Sequence, residues 1–203
     1  YTAIDDPLKV FQPDTLLCFF GFNESFAGET GESQFQEAYE KYLAEAAEEF
    51  RRADGAAPRF VLISPIAFEP TDNRLLPDAD GRNARLRRYV AIVEEVARQH
   101  NLAYVELFEP TEPLFSAEPG LQLTINGCHL NERGDREVAR ILDRALFGDE
   151  PPPSVASESF EVLRRAINDK SWVHVQDYRM LNGWYVYGGR RTFDTETFPA
   201  EYK

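Results

Sequence analysis

The chain has 203 residues, enough for one α/β domain with an appendage. Its residues are 43% hydrophobic and 28% charged, a globular balance, and no apolar run approaches the ~20 residues of a membrane helix. A net charge of −13 disfavours nucleic acid and anionic membranes as partners, because their phosphates need Lys and Arg opposite them. The excess acid reads as a solubilising surface.

The chain opens on Tyr1 without a signal-peptide pattern, and this start reads as a cut. Residues 15–20 (Thr-Leu-Leu-Cys-Phe-Phe) form an apolar run closed by Gly21. Residues 59–64 form a second run, ended by Pro65, and residues 102–107 a third. Short apolar runs with such borders predict strands buried on both faces of a parallel sheet. Cys18 lies inside the first and reads as a small buried hydrophobe. With only Cys18 and Cys128, the chain has neither a disulfide framework nor a Cys/His metal spacing.

Helical periodicity fills the intervals. Residues 33–53 place Phe35, Tyr39, Tyr42, Leu43, Ala46 and Phe50 at three- and four-residue spacing. Residues 83–100 repeat this with Leu86, Tyr89, Val90, Val93 and Val96. Residues 131–147 do so with Val138, Ile141, Leu142 and Leu146, before Gly148. The alternation predicts a three-layer α/β/α fold around a parallel, flavodoxin-like sheet. Residues 1–148 are assigned to that domain and the Pro-rich 149–156 to a linker. Residues 157–203 are read as a helix, over 158–169, plus a loop-like extension. This extension carries Trp172, His174, Tyr178, Trp184, Tyr185, Tyr187 and Phe193. Its rings either stack on sugars or cover a neighbouring surface. Arg179, Arg190 and Arg191 either bind an acidic sugar or are solvated.

In open α/β sheets, ligands bind beyond the carboxyl ends of the strands. The first strand runs into Gly21-Phe22-Asn23-Glu24-Ser25, the second into residues 64–69, and the third leads to residues 123–131. His129 stands there between a Gly-Cys pair and a helix start. It is either a proton-transfer group, since imidazole titrates near neutrality, or a packing residue at the helix start. His100 is read as a helix-end residue. Asn23, on a Gly-flanked turn, either donates its NH₂ to an oxyanion or stabilises its own turn. The acid-rich stretch 70–83 lacks the ligand order of a calcium loop. Gly21, Gly28 and Gly31 do not make a dinucleotide fingerprint.

Gly21-x-Asn23-Glu24 resembles the third sequence block of the SGNH (GDSL) hydrolases, usually Gly-x-Asn-Asp. Asn126-Gly127-Cys128-His129 resembles their fifth, usually Asp-x-x-His. Both lie in the expected strand-to-helix context, and the resemblance covers roughly residues 1 to 148. The strings GFNESFAGE and LTINGCHLNERG are also similar to a subgroup of such esterases in planctomycete-type bacteria. Those often belong to large multidomain proteins, which makes other domains of a larger polypeptide the expected partners. The resemblance implies that His129 is the general base toward a serine and that Asn126 orients its ring. Asn23 and Gly21 then form part of the oxyanion hole. It implies no metal and no organic cofactor.

Two departures from the pattern stand out. No Gly-Asp-Ser block occurs in residues 1–203, so the nucleophile is expected upstream of Tyr1 and this chain alone is expected to be inactive. Ser25 and Ser64 lack the sharp turn a nucleophile needs. Position 126 is Asn instead of Asp, which leaves a Ser-His dyad, an acid from elsewhere (Glu24 and Glu69 are candidates) or weak activity. Two functions are compatible with these features. One is a serine ester hydrolase of small acyl or O-acetylated carbohydrate esters. The other is a catalytically silent module that binds glycan or a partner domain.

Overall fold

The structure is a computed structural model that describes residues 12–117, 120–148 and 158–178, with side chains as far as 174 in the last stretch. The chain forms two compact units, residues 1–150 and 151–203. In the first, three strands, β1 (Thr15–Phe19), β2 (Arg59–Ile63) and β3 (Ala103–Val105), make a parallel sheet in the order β1-β2-β3. Thr15 pairs with Arg59 and Phe19 with Ile63, while Val61 pairs with Ala103. The helices of this unit are α1 (Glu32–Glu49), α2 (Ala79–Gln99), the short α3 (Phe108–Leu114) and α4 (Glu132–Phe147).

Side chains alternate across a strand, so β2 feeds two cores. Phe60 and Leu62 join Cys18 under α1 and α2, against Phe35, Tyr39, Leu43, Tyr89, Val93 and Val96. Val61 and Ile63 face the other way and join Val105, Leu107 and Val138, with Ile141, Leu142 and Leu146 of α4 packed beside them. This is the three-layer α/β/α arrangement that the alternating pattern predicts. A third cluster, including Phe68, Leu86, Phe108 and Leu123, lies under the loops that follow β2 and β3.

The helix ends follow from capping. Asp78 starts α2 by accepting the Gly81 N–H at 2.8 Å, so the helix begins ahead of the expected residue 83. His100 closes it through its backbone N–H to the Val96 carbonyl. Asn131 caps α4, taking the N–H groups of Arg133 and Gly134 at 3.0 Å each. A 3₁₀ segment, Glu24–Gly31, and the Pro-containing α3 do not follow from periodicity. In the second unit, α5 spans Glu158–Tyr178. It runs well past the expected residue 169, so Trp172 and His174 stand on a helix and not in a loop. The rings and arginines of residues 179–203 lie outside the described residues.

Candidate active site

The loops beyond β1 and β2 and the hairpin before α4 meet around one shallow cavity of about 400 Å³. Phe20, Phe22, Pro65, Cys128, His129 and Asp135 are among its lining residues. It therefore brings Phe22, the neighbour of Asn23, and His129 to the same opening, whereas Gly21, Asn23 and Asn126 are not among its lining residues. His100 takes no part in it.

The turn after β1 is fixed from several sides. Gly21 adopts φ +111°, a backbone that disfavours a side chain, and a Cβ there would meet the Pro65 ring at 3.2 Å. The Gly21 N–H donates to Glu24 Oε2 at 2.9 Å. The Phe22 carbonyl accepts from the Ser25 hydroxyl at 2.5 Å and from Arg82 Nη2 at 2.8 Å. Tyr89 donates to the Gly28 carbonyl at 2.7 Å. Between these anchors Asn23 is exposed, and its side chain has no hydrogen-bond partner among the described residues.

His129 sits on a hairpin. Thr124 and Leu130 bridge antiparallel, and the Ile125 N–H donates to the His129 carbonyl at 2.7 Å. Asn126 Oδ1 organises the tip. It accepts the His129 backbone N–H at 3.0 Å and lies 3.0 Å from His129 Nδ1. With the proton on Nδ1 donated to that oxygen, Nε2 keeps its lone pair as an acceptor. The Cys128 thiol is 3.3 Å from His129 Nδ1 and 3.4 Å from Asn126 Oδ1. Burial pushes this thiol up from its ordinary pKa, with the nearby Arg82 charge pulling the other way, so it is not set up as a thiolate nucleophile.

The two serines are consumed structurally. Ser25 is buried and bonded within its own turn. Ser64 is buried at the end of β2, and its oxygen accepts the N–H groups of Leu107 and Phe108 at 2.8 and 3.2 Å. The two carboxylates weighed as substitute acids are also bonded elsewhere. Glu24 holds the Gly21 N–H, and Glu69 holds Leu123 and Thr124. Neither touches the imidazole.

Arg82 escaped the sequence reading. Its guanidinium is wholly buried, stacked over the Phe26 ring at 3.7 Å and the Phe22 ring at 4.7 Å. Its Nε and Nη1 have no partner among the described residues. Burial pulls its pKa below the usual guanidinium value, and Arg85 adds to the effect. Nothing in the local sequence marks it, because arginine is seldom fully buried. Among the described residues no group of His, Cys, Asp and Glu is placed to hold a metal ion. No helix there is long and apolar enough to cross a membrane.

The sequence model of the GDSL-like lipase/acylhydrolase family matches residues 3–137. No curated protein matches the chain significantly. Among solved structures, it is similar to LAE5, an α/β hydrolase enzyme from the metagenome of Lake Arreo, Spain. The identity is 16%, the TM-score 0.52 and the coverage 70% of this chain and 63% of that one. It is also similar to Axe2, an acetylxylan esterase from Geobacillus stearothermophilus, at 14% identity and TM-score 0.52, covering 70% and 64%. The acetyl xylan esterase AlAXEase gives 20% identity and TM-score 0.51, covering 68% and 69%. The chain thus spans less than two thirds of the length of the first two, and at these identities the likeness is one of fold.

Proposed function

The chain belongs to the GDSL-like lipase/acylhydrolase family, and from that premise we propose that it supplies the base and one oxyanion donor of a serine ester hydrolase. The observation that carries this reading is His129, with Nδ1 3.0 Å from Asn126 Oδ1, on a cavity that Phe22 of the Asn23 turn also lines. The nucleophilic serine is proposed to come from outside residues 1–203, since Ser25 and Ser64 are bonded into the fold. In the acylation step His129 Nε2 takes the serine proton while the serine oxygen bonds to the ester carbonyl carbon. The bond to the alcohol then breaks, and the imidazolium returns the proton to the leaving alkoxide. Water repeats the sequence and releases the acid. The free NH₂ of Asn23 donates to the oxyanion of each tetrahedral intermediate, a contact of the kind whose loss costs about 3–4 kcal/mol. Gly21 contributes by conformation, because its own N–H is held by Glu24. The substrate class proposed is a small acyl ester, with O-acetylated carbohydrate favoured by the acetylxylan esterases among the similar folds.

The test is hydrolysis of p-nitrophenyl acetate by the polypeptide that includes the serine segment. His129→Ala should abolish turnover, and undiminished turnover would remove His129 from the mechanism. Asn126 favours a second reading, a silent binding module, because an amide cannot offset an imidazolium as a carboxylate does. A fluorophosphonate probe separates the two: serine labelling supports the hydrolase, and glycan retention without labelling supports the module.

A further inference from the structure

Glu69 follows β2 and is buried beneath the hairpin that carries Asn126 and His129. Its Oε1 accepts the Leu123 N–H at 2.7 Å, and its Oε2 accepts the Thr124 N–H at 2.7 Å and the Thr124 hydroxyl. The Thr124 hydroxyl has one proton and gives it to Glu69, so it meets the Gly127 N–H as an acceptor, at 2.8 Å. The Glu69 backbone N–H donates to the Gly127 carbonyl, also at 2.8 Å. Residues 123–127 are thus wrapped around a single carboxyl group. No Lys or Arg pairs with Glu69 among the described residues. Burying a carboxylate without compensation is very costly, and here all the compensation comes from one loop. The carboxylate is satisfied only when that loop holds this conformation, and the same conformation puts Asn126 Oδ1 beside His129 Nδ1.

We propose that Glu69 is a positioning residue for the Asn126–His129 pair, acting through Thr124 and Gly127 without touching the imidazole or the substrate. The proposal rests on the reading of His129 as the base. It assigns to a buried carboxylate behind the loop the geometric part of the work that an aspartate at position 126 does in the usual family pattern. The electrostatic part is not supplied by Asn126, whose amide carries no charge.

The test uses Glu69→Gln, Thr124→Val and Thr124→Ser. One readout is the ¹⁵N spectrum of the His129 ring in the 203-residue chain, which reports the Nδ1 bond to Asn126. The other is kcat and KM in the polypeptide with the serine segment. Glu69→Gln and Thr124→Val should each move the Nδ1 resonance and lower kcat on the order of 10²-fold with KM retained, the scale of loss that misplacement of a reacting group produces. Thr124→Ser, which keeps the hydroxyl, should restore both. Should Glu69→Gln fail to fold, Thr124→Val decides, because it leaves the carboxylate two backbone donors. Ring resonances and kcat unchanged in both variants, with His129→Ala inactive, would overturn the proposal alone. Turnover surviving in His129→Ala would instead sink the base assignment, while the ring spectrum still decides whether Glu69 holds His129.

Discussion

An amide and a carboxylate have nearly the same shape and differ by a unit charge, and Asn126 puts that difference at the centre of the site. Its Oδ1 already accepts from the His129 N–H and lies against Nδ1, so the ring is oriented without a charge. What an amide cannot do is stabilise the imidazolium that the proposed role of His129 requires. In the polypeptide with the serine segment, Asn126→Asp should keep every acceptor contact and raise kcat for p-nitrophenyl acetate, with a ceiling of about 10⁴-fold. A rate left unchanged would mean that imidazolium formation does not limit turnover. At this scale the sequence showed the residues that repeat a motif, and it named Glu24 and Glu69 as candidate acids without showing that they hold the two turns. His129, Asn126, Asn23 and Gly21 stand in short blocks with a recognisable spacing. The donors to Glu69 and the burial of Arg82 depend on contacts 54 and 60 residues apart, which no local pattern encodes.

Elements were legible where burial is periodic. β2 is apolar from Phe60 to Ile63 because both of its faces are covered there, and α1 and α2 each show one apolar stripe because only one side of each is covered. α3 was not legible: it has seven residues, two of them prolines, and owes its place to Glu106 and Ser64 accepting its first N–H groups. The hairpin before α4 shows how tightly one element seats on another. Gly127 adopts φ +88°, and a Cβ there would lie 2.3 Å from the Phe68 ring. Gly127→Ala should therefore combine about 1–2 kcal/mol of backbone strain with overpacking of about 1–3 kcal/mol. Gly55 provides the control, since it has φ +81° and a Cβ there would meet nothing within 4 Å. In thermal melts Gly55→Ala should lower Tm modestly and Gly127→Ala distinctly more. Equal losses would mean that Phe68 yields and that the hairpin is less firmly seated than its contacts imply.

For the molecule as a whole, the two faces of β1 differ in their cover. Leu17 and Phe19 pair with Val61 and Ile63, so they point to the α4 side of the sheet. Val61 and Ile63 are buried there by α4, whereas Leu17 and Phe19 are 45% and 54% exposed. On the opposite side Cys18 is covered by α1 and α2. Among the described residues β1 pairs on one edge only, and parallel sheets are ordinarily covered on both faces. The proposed serine segment would find in this edge and face a place for one more strand and its covering helix, next to the cavity that Phe19 and Phe20 line. The isolated 203-residue chain should then self-associate through this surface despite its net charge of −13. Sedimentation should show concentration-dependent oligomers that Leu17→Lys with Phe19→Lys reduces. The same pair of substitutions should weaken rebinding of the serine segment supplied in trans. A wild-type chain that sediments as a monomer and melts in one cooperative step would show that the surface needs no cover, and the nucleophile would then have to be sought elsewhere than on this edge.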